Sequence, residues 1–144
     1  MQSRGMVEFM VEDILYNKIS IIERCLKRVD EVYESNPENL EDYTKQDSIV
    51  LNILRVIETT IDIAMHIVSV KKLGLPQNSR DAFKLLYSAN IIDKDTLESL
   101  KNMIGFKNVA VHNYQKLNLE ILKKIIENNQ KDFKTFIDSI NANV

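Results

Sequence analysis

A chain of 144 residues, 44% of them hydrophobic and 28% charged, is long enough to bury one continuous core and has the length of one ordinary domain. Its net charge of −2 argues against a constitutive grip on bulk nucleic acid, so DNA is not expected as a partner. No apolar run approaches the ~20 residues that span a bilayer, and Met1 to Met10 lacks the basic flank and apolar block of a secretory signal, so a soluble cytoplasmic protein is expected.

Three glycines and two prolines punctuate the chain, and apolar residues recur at spacings of three and four rather than alternating. After a flexible tail over residues 1–9, a first helix is predicted from about Val7 to Glu34, with Val11, Ile14, the stem of Lys18, Ile22, Cys25, Val29 and Val32 or Tyr33 on its inner stripe. Asn36-Pro37 ends it, and a loop or short turn follows up to Gln46. A second helix starts near Asp47, with Thr44 or Asp47 as cap, and Gly74 and Pro76 stop it. Ser79 caps a short third helix, Arg80 to Ala89, whose apolar side is Phe83, Leu86 and Tyr87. Asp93 caps a fourth carrying Leu97, Leu100, Met103, Ile104 and Val111. A last helix runs from Leu117 to Ile140. The sum is one all-α domain over residues 1–144, an up-and-down bundle of four to five helices.

Cys25 is the only cysteine and lies on an apolar stripe with Ile21, Ile22, Leu26 and Val29, which reads as a core thiol. One Cys and two His do not make a closed zinc site, so no structural metal is expected, and no cofactor motif of the Rossmann or P-loop kind is present. Charge is uneven. From Lys101 onward seven lysines face four acids, a balance of +3, which leaves −5 for the first hundred residues. Most of these lysines read as a solvated helix face.

Lys107 is the exception. The run Gly105-Phe106-Lys107-Asn108-Val109-Ala110-Val111-His112-Asn113-Tyr114 carries one of the two histidines. Lys107 and His112 are five apart, about 7.5 Å along a helix axis, within reach of one pocket for a long lysine stem. An imidazole can shuttle a proton, and a cation with Asn or Tyr donors can steady the charge that builds at a phosphodiester. Spacing alone equally fits helix-end residues that face water.

The segments Gln46 to Val50, Asp62 to Ile67, Leu73 to Pro76, Arg80 to Phe83 and Met103 to Tyr114 together resemble the HepT-like branch of the HEPN superfamily. The likeness runs in order from about residue 10 to 135. Its most specific part is the pattern of Arg, four to six residues, His, then Tyr two further on, with His112 and Tyr114 in the last two places. The resemblance implies a HEPN-like bundle and a metal-independent endoribonuclease toxin of a type VII-like toxin–antitoxin pair. RNA would be cut by its own 2′-hydroxyl, with His112 as general acid and base, Lys107 on the phosphate and Asn108 as a donor. It also implies a homodimer with a shared cleft, and a minimal nucleotidyltransferase antitoxin that attaches AMP to Tyr114. No cofactor is implied.

Lys107 stands where the family motif has Arg. Lysine keeps the charge but loses the planar fork that holds two phosphate oxygens at once. The alternative is therefore a catalytically weak or inactive module that binds a nucleotide or a protein. Asp62 and His66 share a helix face at a spacing of four, and read either as a structural pair or as a second wall of the cleft. The second helix is apolar over a wide arc (Ile53, Leu54, Ile57, Ile61, Ile63, Ile67), wider than one bundle interior needs, which is a physical reason to expect a dimer.

Overall fold

The computed structural model describes residues 2–144, with side chains described from Glu12 onward. Every regular element of the described chain is helical: α1 (Gln2–Tyr33), a 3-10 turn (Pro37–Glu41), α2 (Tyr43–Val70), α3 (Ser79–Ser88), α4 (Lys94–His112), a second 3-10 turn (Tyr114–Lys116), α5 (Leu119–Lys124), a π-helical turn (Ile125–Asn129) and α6 (Gln130–Asn143). The expected all-α bundle is what forms. Its first helix starts well before Val7, so the stretch read as a tail has helical backbone from Gln2 on, while Met1 and the Val11 side chain lie outside the described residues.

The α1–α2 connection is built from local hydrogen bonds. Glu34 and Ser35 adopt left-handed backbone (φ 53° and 55°), which turns the chain out of α1. Asn36 accepts from the Glu38 amide at 3.0 Å and caps the turn that Pro37 opens. Leu40 buries, and the Gln46 side chain, itself buried, donates to the Leu40 carbonyl at 3.0 Å. Asp42 then caps α2 through the Lys45 amide, so the helix begins earlier than the start near Asp47 expected from sequence, and neither Thr44 nor Asp47 is its cap. Asn78, rather than Ser79, likewise caps α3, and Asp93 caps α4 as expected.

The C-terminal end of α2 closes before the glycine expected to stop it. Lys72 is left-handed (φ 53°), and the Leu73 amide donates to the Val68 carbonyl at 3.0 Å. Gly74 is still required: its φ is +148°, and a Cβ there would meet Leu85 Cδ2 at 3.0 Å.

α2 is the central helix, packed on α1 along its length and touching α3 and α4. Ile53, Ile57, Ile61, Ile63 and Ile67 are buried and Leu54 is half-buried, all against the chain's own helices. The wide apolar arc is thus used inside the monomer and does not itself call for a second copy, contrary to the sequence expectation. The reason is geometric: helices lie on several sides of α2, so more of its circumference is interior than a two-helix packing would bury.

Phe83 of α3 and Phe136 of α6 meet edge to face, with centroids 6.0 Å apart and planes at 83°, at the far end of the core. Cys25 is buried and free. Val111 (56% exposed) and Tyr87 (40%) lie outside the core to which their spacing assigned them. The single last helix expected from Leu117 is instead interrupted by the π turn, where Glu127 accepts a short hydrogen bond from the Tyr33 hydroxyl. No helix among the described residues is long and apolar enough to cross a membrane.

Candidate active site at the end of α4

α4 carries Lys107 and Asn108 and ends at His112, where the Asn113 amide closes the last turn on the Val109 carbonyl at 2.8 Å. The chain then tightens into the 3-10 turn that begins with Tyr114. The helix therefore breaks directly after His112. It leaves His112 and Tyr114 on either side of a cap rather than in one continuous helix.

Two of the motif side chains lean on α2. Lys107 Nζ is 3.0 Å from Glu58 Oε1, with 24% of the lysine side chain and 56% of the glutamate exposed. The Tyr114 hydroxyl donates to Asp47 Oδ1 at 2.5 Å and to Gln46 Oε1 at 3.2 Å. Burial first, then the Asp47 carboxylate, pushes the Tyr114 phenol well above its ordinary value of 10, so the hydroxyl holds its proton. Asp47 and Glu58 are eleven residues apart, about three turns, and so lie on one stripe of α2. That stripe anchors both ends of the motif. Between the anchored residues, Asn108 and His112 are exposed.

Sequence reasoning missed Glu58 and the acceptor role of Gln46 and Asp47. The pairing needs the register of α4 against α2, which no local pattern carries.

Asp62 and His66 do not pair with each other. Asp62 Oδ2 is 3.6 Å from Lys18 Nζ of α1. His66 Nε2 is buried without a hydrogen-bond partner among the described residues. Desolvation, and then the nearby Lys18 charge, lower the His66 pKa below its usual 6.5 and hold the ring neutral. Lys18 thus takes the carboxylate and opposes protonation of the imidazole, and the expected Asp–His couple is absent among the described residues.

Two cavities, of about 550 and 590 Å³, open elsewhere on the surface, and neither is lined by Lys107, His112 or Tyr114. Among the described residues no three His, Cys, Asp or Glu side chains converge as metal ligands would.

Comparison with known proteins places the chain in a family. Residues 22–140 match the family described as Ribonuclease HepT-like. The mRNA nuclease HepT of Shewanella oneidensis is 46% identical over 132 residues, covering 92% of this chain and 99% of that protein. A crystal structure of a toxin–antitoxin complex with AMP-PNP superposes with a TM-score of 0.87 at 45% identity, over 90% of this chain and 98% of the other. The tri-AMPylated Shewanella oneidensis HEPN toxin, solved in complex with its MNT antitoxin, gives a TM-score of 0.86 at 46% identity, with the same coverage. This chain belongs to the HepT-like ribonuclease family of HEPN toxins.

Proposed function

We propose that this chain is the toxin of a type VII-like toxin–antitoxin pair, a metal-independent endoribonuclease that acts in the cytoplasm and is silenced by AMP on Tyr114. The observation that carries the reading is the anchoring of Lys107 and Tyr114 on one stripe of α2, with His112 left exposed between them at the helix end. The Shewanella oneidensis relatives, an mRNA nuclease and an AMPylated toxin bound to an MNT antitoxin, support it.

In this mechanism the substrate's 2′-oxygen attacks the adjacent phosphorus, and the bond to the 5′-oxygen breaks. His112 takes the proton from the 2′-hydroxyl and returns one to the 5′-oxygen, leaving a 2′,3′-cyclic phosphate and a 5′-hydroxyl. Lys107 neutralises a non-bridging oxygen, and Asn108 donates to another. The cleft is completed by a second copy. Exposed Val109 and Val111 flank the end of α4, and exposed Leu51 lies on α2 between Asp47 and Glu58, an apolar patch beside the motif that a homodimer would cover. A minimal nucleotidyltransferase antitoxin modifies Tyr114: the phenol oxygen attacks the α-phosphorus of ATP, pyrophosphate leaves, and the phenol gives up its proton. The anionic AMP then repels the incoming phosphate.

The test is cleavage of RNA by the purified dimer in EDTA. Cyclic-phosphate ends and a loss of ~10²- to 10⁴-fold in His112→Ala are expected. Unchanged cutting in that variant, or a requirement for Mg²⁺, sinks the mechanism. The pairing of Lys107 with Glu58 favours a second reading, in which the motif cation is occupied and the protein binds RNA without turnover. Binding of RNA by a protein that never cleaves it would select that reading.

A further inference from the structure

The cavity of about 550 Å³ lies between α1 and α2 and is basic. Arg24 and Arg28 reach it from α1 and Arg55 from α2, joined by Ser48, Asn52 and the wall of Cys25. Among the described residues no carboxylate lines it. The first hundred residues are acidic on balance, so three guanidinium groups around one depression run against the local average. Arg28 is loosely held by Glu31 at 3.6 Å on the exposed rim, and Arg24 and Arg55 have no ion-pair partner among the described residues.

The like charges of three arginines facing one groove repel one another, and an anion among them relieves that repulsion. Guanidinium is the side chain best matched to phosphate oxygens, since its planar fork donates two parallel hydrogen bonds. Arg24 and Arg28 are one helical turn apart, about 6 Å of rise, comparable to the step between successive phosphates on an extended single strand.

The position relative to the motif matters as much. At about 100° per residue, Ser48, Asn52 and Arg55 lie on the stripe of α2 next to the one that holds Asp47 and Glu58. Ser48 follows the residue that grips Tyr114, and Arg55 precedes by one turn the residue that grips Lys107. The groove and the motif are adjacent flanks of one helix.

We infer that the Arg24–Arg28–Arg55 groove is a second phosphate-binding site, which holds the backbone of the single-stranded RNA substrate beside the scissile bond. The inference rests on the ribonuclease reading for the identity of the strand, but its test reads binding and not cleavage. The groove supplies what the motif lacks: with one lysine in place of the motif arginine, the motif holds a phosphate by a single point charge. The arginines across α2 restore a forked grip on the neighbouring phosphates.

The experiment measures fluorescence anisotropy of a 2′-O-methyl single-stranded RNA, which lacks the attacking hydroxyl and survives any nuclease of the proposed type. Full-length dimer is compared with Arg24→Gln/Arg55→Gln and with Lys131→Gln/Lys134→Gln, which removes the same charge from exposed positions on α6. The arginine variant is expected to bind about tenfold more weakly at 0.1 M salt. Its slope of log K against log salt should be shallower by about 1.4, since each single-strand phosphate no longer neutralised removes ~0.7 from the slope. The lysine variant should move little. Equal weakening in both variants, or an unchanged slope in the arginine variant, overturns the groove as a site. Wild-type protein that binds the probe through these arginines yet never cuts natural RNA would leave the groove standing and refute the catalytic reading instead. Thermal unfolding of each variant excludes misfolding as the cause: Arg24 and Arg55 are exposed surface positions, and a native transition is expected.

Discussion

The Lys107 ammonium and the Glu58 carboxylate, 3.0 Å apart, tie the motif cation of α4 to the middle of α2. The pair is solvent-exposed on the glutamate side, which limits its strength to about 0.2–1 kcal/mol. A phosphate arriving at Lys107 therefore competes with Glu58 at small cost. Glu58→Gln should lower the KM for RNA by up to about fivefold with little change in kcat, as read from steady-state cleavage. A fall in kcat would show instead that Glu58 holds the lysine in its working position.

Replacing the cation tests the same ion pair from the other side. Lys107→Arg restores a planar fork able to hold two oxygens, and cleavage should rise several-fold in kcat/KM. Lys107→Met, which keeps the stem and removes the charge, should lose most of the activity while leaving the unfolding transition nearly in place.

The Tyr114–Asp47 hydrogen bond clasps the turn after α4 to the first turns of α2. Tyr114→Phe and Asp47→Ala should each destabilise the fold by about 1 kcal/mol, and the double variant by little more than either alone. Chemical denaturation of the four proteins gives the coupling directly; strict additivity would mean that the two groups do not interact.

His66 makes stability depend on pH. Its folded pKa lies below the unfolded value of 6.5, so between those two values the unfolded chain carries more protons than the folded one. Stability is complete above 6.5, declines as pH falls through the window beneath it, and levels off once the folded ring also protonates. His66→Gln should reduce the loss of Tm between about pH 7.5 and about pH 5.5. An identical pH profile in the variant would place the dependence elsewhere.

The edge-to-face packing of Phe83 and Phe136 closes the core between α3 and α6. Both rings are about 1% exposed, so truncation leaves a void that neighbours only partly fill. Phe136→Ala should cost about 3–5 kcal/mol and lower Tm by on the order of 10 °C, measured by calorimetry.

The bundle was legible because α1, α2 and α4 repeat apolar residues over many turns and because few glycines or prolines intervene. Boundaries were less so. Asp42, Thr44 and Asp47 all have the chemistry of a cap, and only the preceding 3-10 turn, with Leu40 buried beneath it, decides for Asp42. The π turn at Ile125–Asn129 was invisible, since Ile125 and Ile126 fit an ordinary apolar stripe equally well. At the site, the family likeness pointed to Lys107, His112 and Tyr114, but the partners of Lys107 and Tyr114 lie far off in sequence and emerge only when α4 is set against α2. Asp62 and His66 misled for the same reason: a spacing of four puts them on one face, yet Lys18 arrives from another helix and takes the carboxylate.

The clasp at Tyr114 carries one more implication. Its phenol is the donor and Asp47 the acceptor, so any substituent on that oxygen removes the only proton the bond has. An anionic substituent would also set like charges against each other, and the turn from Asn113 to Leu117 would have to release from α2. Chemical marking of Tyr114 would then leave a mechanical signature as well as an electrostatic one: faster amide exchange at both ends of the broken latch, readable even with no RNA present.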